Sequence, residues 1–225
     1  MRSDYHAHLR LLAELLHAMC ERDRVAIAAA THAVVNADID QAEATLDLAG
    51  QVETMQRETE QEALRLLALQ APVAGELQQV VTAIQLTGNL HRMAVLAGHI
   101  ATSARRRHPD HVVPEPVRPL IARIGSTALA IATSAAAVLD TGDPDAAAAL
   151  DVHDDTMDQL HEQLLSVVLD RDWDYGVTAA VDLTLLGRYY ERFADNAVEV
   201  GRRTILLSTG ETIHYPTDHP DPPRP

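Results

Sequence analysis

The chain has 225 residues, a formal net charge of −15, no lysine, and a 47% apolar share containing one Trp and one Phe. That length supports one large core or two small ones, and an apolar part made mostly of Ala, Leu, Val and Ile is helix-bundle material. An acidic excess of this size repels phosphate backbones and anionic lipid, which argues against nucleic-acid binding and membrane-surface binding.

At the start of the chain Asp4, His6, His8 and Arg10 interrupt any apolar signal core. A first helical pattern runs from about Ser3 to Asn36, with Leu9, Leu12, Leu16 and Met19 at three- and four-residue steps. Cys20 lies within it as the only cysteine, so no intramolecular disulfide forms and nothing marks secretion. The helix stops at Ala37-Asp38-Ile39-Asp40, where the Asp38 carboxylate is placed to accept the free amides of the next helix. That second helix runs from about Ile39 to Leu69 and ends at Pro72, which cannot continue a helical ladder. A third runs from about Val73 to Ala104 and closes on Arg105-Arg106-Arg107, cations that favour a helix C-terminus.

Residues 108–116 hold three prolines and read as a semi-rigid linker. A fourth helix follows from about Val117 to Leu139. Its longest uncharged run, Ile124 to Leu139, is too short to cross a bilayer. Gly142-Asp143-Pro144-Asp145 starts a fifth helix reaching about Leu169, and Arg171-Asp172-Trp173-Asp174 turns the chain into a sixth, about Tyr175 to Leu207. Ala37-Asp38-Ile39-Asp40 matches Gly142-Asp143-Pro144-Asp145 at a shift of 105, and His91-Arg92-Met93-Ala94 matches Glu191-Arg192-Phe193-Ala194 at a shift of 100. A shift that changes only at a loop is what a duplicated three-helix unit gives. The expected fold is therefore all-α: two tandem three-helix bundles, residues 1–107 and 117–209, with a disordered proline-rich tail over 210–225.

The sixth helix carries the chemistry. Leu183, Leu186, Tyr190, Phe193, Ala197, Val200 and Ile205 mark its packed face, and Glu191 and Asp195, four residues apart, project together from the rim. A pair like that can hold a cation. The bland reading, a solvated acidic face, competes with this one wherever acidic pairs occur alone.

The run Glu191-Arg192-Phe193-Ala194-Asp195-Asn196-Ala197 resembles the Glu-Arg-Ile-Gly-Asp-His-Ala signature of the PhoU family of phosphate-signalling regulators. Leu69-Gln70-Ala71-Pro72-Val73-Ala74-Gly75-Glu76-Leu77 and the two three-helix repeats fit that family as well. The resemblance spans about Tyr5 to Leu207 and is specific in combination. It implies a cytoplasmic, non-enzymatic regulator whose repeats bind metal through acidic pairs. It also implies partners: a phosphate-specific ABC transporter ATPase and a sensor histidine kinase, which the regulator represses when phosphate is plentiful. A homo-oligomer, most simply a dimer, is expected.

The resemblance carries the metal ligands over as Glu191 and Asp195 on the sixth helix with Asp154 and Asp158, a companion pair at the same step, on the fifth. If the two helices are antiparallel neighbours, four carboxylates converge, and their repulsion is relieved by a cation. Oxygen-only ligation suits Mg, Mn or Fe, while His161, one turn beyond Asp158, moves the preference toward Zn or Fe. The first repeat departs from the pattern: Ala49 and Glu53 stand for Asp154 and Asp158, and His91 and Val95 for Glu191 and Asp195. A single site in the second repeat is expected, and Asn196, where the family often has His, removes one further ligand. Two rivals belong to other classes. A ferritin-like di-metal carboxylate protein would use Glu14-x-x-His17 together with the near match Asp158-x-x-His161. A metal-independent helical adaptor would need none of the acids.

Overall fold

A computed structural model of the chain describes residues 2–70 and 75–209, and these form six helices: α1 (Arg2–Asn36), α2 (Ile39–Gln70), α3 (Gly75–Arg107), α4 (Arg118–Thr141), α5 (Pro144–Val168) and α6 (Gly176–Thr209). Among the described residues there is no strand. The expected all-α architecture of paired three-helix bundles is observed. The break at Pro72 and the tail over 210–225 lie outside the described residues.

The two hairpin turns show the duplication in atomic detail. Ala37 adopts the left-handed conformation (φ 54°), which lets the Asp38 N–H donate to the Ala33 carbonyl at 3.1 Å and close α1. Asp38 then opens α2, its carboxylate accepting from the Gln41 N–H at 3.0 Å. At the matching place Gly142 (φ 63°) ends α4, its N–H bonded to the Val138 carbonyl, and the Asp143 carboxylate accepts from the Asp145 N–H at 2.9 Å. Both turns hold a left-handed residue followed by a capping aspartate, so the shared pattern in the sequence is a shared device in the chain.

Each trio packs mutually, and the trios meet along α1 with α4 and α3 with α6. Exchanging α1, α2 and α3 for α4, α5 and α6 leaves that set of contacts unchanged, the internal twofold expected of a repeat. α2 and α5 each touch only their own trio and form the outer faces. One continuous apolar core runs through both, and Tyr190 and Phe193 are fully buried in it. Where α1 crosses α4 the backbones come close because Gly125 has no Cβ to meet the Thr31 side chain, whose hydroxyl lies 3.0 Å from that of Tyr190. α1 and α5 make no contact, so Glu14-x-x-His17 and Asp158-x-x-His161 cannot share a bundle core, and the ferritin-like reading fails on geometry. His17 instead lies 2.6 Å from Asp140 of α4.

The segment between α3 and α4 is packed down, for Val112 and Val113 are buried and a 3₁₀ turn over Glu115–Val117 leads into α4. Together with that turn, α4 is by length and composition apolar enough to cross a membrane, yet half of the apolar stretch is buried inside the fold through Ile121, Ile124, Ala128 and Ile131. Its apolar character is that of a core helix.

Candidate functional site: an acidic seam between α5 and α6

α5 and α6 are joined by the short turn around Trp173, whose indole N–H donates to the Gly176 carbonyl at 3.0 Å. The register is antiparallel. It is held close by two glycines of α6: a Cβ on Gly187 would stand 2.9 Å from Leu164 Cδ2 and 3.0 Å from His161 Cδ2, and one on Gly201 would run into Leu150. These glycines flank Glu191 and Asp195 on either side, so the helices approach where the acids lie. Asp151 and Arg202 close the far end at 3.2 Å.

Asp154 and Asp158 of α5 and Glu191 and Asp195 of α6 lie along this seam, half-buried or exposed at its rim, as the offset of the α6 acids from its apolar stripe requires. Burial pushes the Asp154 carboxyl up to about 6, reinforced by the negative charges of Asp158 and Asp195. Asp158 is raised by burial and by Glu191, and Asp195 by burial and by Glu191, with Asp158 adding to it. The mutual influence runs both along and across the helices, the signature of four acids in one field. Glu191 is the hinge of the group. It pairs with Arg188 one turn earlier on α6 and lies 3.9 Å from His161 Nδ1 of α5. Among the described residues no three of His, Cys, Asp and Glu stand close enough together to hold a metal ion.

The equivalent seam of the first trio is different in kind. Gly98 of α3 packs on α2, where its Cβ position lies 3.7 Å from Leu46 and 3.8 Å from Ala49, and Val95 is part-buried beside it. Glu53 is exposed and His91 part-buried. An apolar contact occupies the place that carboxylates hold in the second trio.

Two acids outside the predicted set are nearly or fully buried. Asp182 on α6 is 5% exposed and accepts from both Arg106 and Arg107 of α3. Asp23 on α1 is fully buried and neither oxygen has a hydrogen-bond partner among the described residues, so burial holds its carboxyl far above the usual range. Asp23 breaks the polarity expected of its helical face, the one signal in the sequence that marks it. Asp182 carries no such signal.

Two mutually packed helical trios with a carboxylate seam on the outer edge of one define an all-α protein of the duplicated three-helix class. A family model described as the PhoU domain matches twice, over residues 16–104 and 121–204, one match in each trio. The chain belongs to the PhoU family. It is 47% identical to phosphate-specific transport system accessory protein PhoU homolog 1 of Mycobacterium leprae over 97% of both chains. It is also 47% identical to PhoU homolog 2 of Mycobacterium tuberculosis H37Rv, over 93% of this chain and 99% of that one. The crystal structure of PhoU from Pseudomonas aeruginosa shares the fold, with a TM-score of 0.81 at 21% identity over 92% of this chain and 100% of that one.

Proposed function

We propose that this protein is a cytoplasmic, non-catalytic regulator of phosphate uptake that docks on the ATPase subunit of a phosphate-specific ABC transporter and on a sensor histidine kinase, keeping the kinase quiet when phosphate is plentiful. The observation that carries the reading is the full-length likeness to proteins named as accessory to phosphate-specific transport. The acidic seam supplies the device. In this reading Asp154, Asp158, Glu191 and Asp195 hold a divalent or trivalent metal, of Zn, Fe, Mg or Mn type. The metal supplies charge neutralisation, pinning α5 against α6 and so fixing the outer face of the second trio for a partner.

The direct experiment is co-purification of the full chain with the transporter ATPase and with the kinase's cytoplasmic part, beside a phosphate-responsive reporter in cells lacking the protein. Binding to either partner and a reporter silenced only when the chain is restored are the expected results. Loss of both would remove the regulatory reading. Binding that survives Glu191→Ala with Asp195→Ala would leave a metal-independent adaptor.

A further inference from the structure

The hairpin end of the second trio carries an apolar patch. Leu169, the residue that closes α5, is 78% exposed, and Val177 and Val181, in the first two turns of α6, are 80% and 51% exposed. The register in which Gly187 faces His161 and Leu164 sets Leu169 level with Val181. Val177 stands 18 residues before Asp195, and Leu169 stands 11 after Asp158. Both separations are close to whole numbers of helical turns, so the patch lies on the side of the hairpin that bears the acidic seam.

One exposed aliphatic side chain is ordinary. These three recur. At the shifts that relate the trios, 105 for α2 and α5 and 100 for α3 and α6, the matching residues are Leu64, Leu77 and Val81, themselves 61%, 42% and 42% exposed. The trios differ in kind at the seam, where Ala49, His91 and Val95 stand for Asp154, Glu191 and Asp195, yet both hold the same three aliphatic positions out in water. Valine is also a poorer helix former than the alanine and arginine abundant in this chain, so Val177 and Val181 cost helix propensity and return little packing within the fold.

We infer that Leu169, Val177 and Val181 form a docking surface for an amphipathic helix of a partner protein, one whose apolar stripe is edged by lysine or arginine. A surface and a partner chemistry are thereby added to the docking reading above, on which the existence of a protein partner rests. The turn between the helices supplies the charge: Asp170, Asp172 and Asp174 are exposed there with Arg171 alone, in a chain of net charge −15. Arg188, the next cation along this side of α6, is taken by Glu191. Apolar side chains one turn apart receive the i, i+4 stripe of a helix, and the carboxylate rim selects basic flanks. A second copy of the chain seated here would bring two aspartate rims together, and an anionic bilayer would meet the same rim, so both are disfavoured.

The test titrates the full chain into a dye-labelled helical peptide of about five turns, with leucines at i, i+3 and i+4 and lysines elsewhere, and reads fluorescence anisotropy at physiological ionic strength. Binding should weaken at least ~tenfold in the triple variant Leu169→Ser, Val177→Ser, Val181→Ser. It should be unchanged in a control carrying Leu11→Ser and Val25→Ser, two exposed aliphatics of α1. Glutamate in place of the peptide's lysines should abolish it, and Asp170→Asn with Asp172→Asn and Asp174→Asn should weaken it and flatten its salt dependence. Equal affinity in the triple variant and the control would overturn the inference. So would sedimentation showing self-association that the triple variant loses, which would assign the patch to a second copy. In co-purification, a triple variant that captures the transporter ATPase or the kinase as well as the natural chain does would overturn the patch and leave the docking reading standing. Capture of neither by the natural chain would overturn the docking reading, while the titration still decides the patch.

Discussion

Arg107 grips Asp182 with two nitrogens, Nη2 at 2.6 Å and Nε at 3.0 Å from Oδ2, while Arg106 takes Oδ1 at 2.7 Å. The last turn of α3 is thereby tied to the second turn of α6, and the two trios are locked at one end of their shared interface. Asp182→Ala should lower stability by about 1–3 kcal/mol, the range for a buried acceptor of charge-assisted bonds, moderated because both arginines can turn to water. Arg106→Ala should cost less than half of that, since Arg107 alone can hold the carboxylate. Urea midpoints of the three proteins decide the matter, and equal midpoints would mean the clamp is idle.

Asp23 sets a pH dependence of definite sign. In the unfolded chain its carboxyl ionises near the ordinary aspartate value, whereas in the fold burial keeps it protonated well above that. Below pH ~4 both states hold the proton and nothing changes. As pH rises past that point the unfolded state alone releases it, and stability falls by about 1.4 kcal/mol per unit until the folded group also ionises. Asp23→Asn removes this slope, so its stability relative to the natural chain should rise as pH climbs above the ordinary aspartate range. A difference that stays flat with pH would show that Asp23 has found a partner.

The acidic seam acts in the same direction over a narrower window. Asp154 ionises at about 6 in the fold, and Asp158 and Asp195 are also raised, so in metal-free protein each favours folding at low pH and loses that contribution as pH climbs through the folded value. In the presence of chelator the thermal midpoint should therefore be lower at pH 7.5 than at pH 5. Asp154→Asn should reduce the difference. A chelated protein whose Asp154→Asn variant keeps the full difference would place the effect elsewhere.

Glycines give two opposite outcomes from one substitution. A Cβ on Gly125 would strike the Thr31 side chain, which is branched, bonded to the Ile27 carbonyl and in contact with Tyr190, so Gly125→Ala should destabilise by about 1–3 kcal/mol. Gly50, inside α2, has no atom within 4 Å of that position, and Gly50→Ala should stabilise by about 0.5–1 kcal/mol through helix propensity alone. Thermal midpoints moving the same way in both would refute the close crossing of α1 and α4.

Much of this was legible in the chain because helix ends announce themselves locally. Asp38 caps the helix it is expected to cap, the matched Gly142-Asp143-Pro144-Asp145 run falls at the next hairpin, and the stripe from Leu183 to Ile205 is the buried face of α6. The likeness of the two trios could be read from matched turns alone. What stayed hidden depends on partners distant in sequence. Arg105–Arg107 reads as a helix C-terminus, and only the fold shows two of these arginines crossing to Asp182 and Arg105 facing Glu43 at 3.6 Å. Residues 108–116 read as a spacer because prolines erase periodicity, although Val112 and Val113 are core residues. The glycines at 187 and 201 carry no local mark of the close approach they permit.

Metal binding by purified full-length protein at pH 7.5, compared with the double variant Glu191→Ala and Asp195→Ala, bears most directly on the proposed device. Calorimetric titration with Mn²⁺ and Zn²⁺ should show one saturable site per chain that is lost in the variant, while Glu53→Ala in the first trio leaves it unchanged. Absence of binding in the natural chain, or binding that persists undiminished in the double variant, would contradict a cation clamp between α5 and α6.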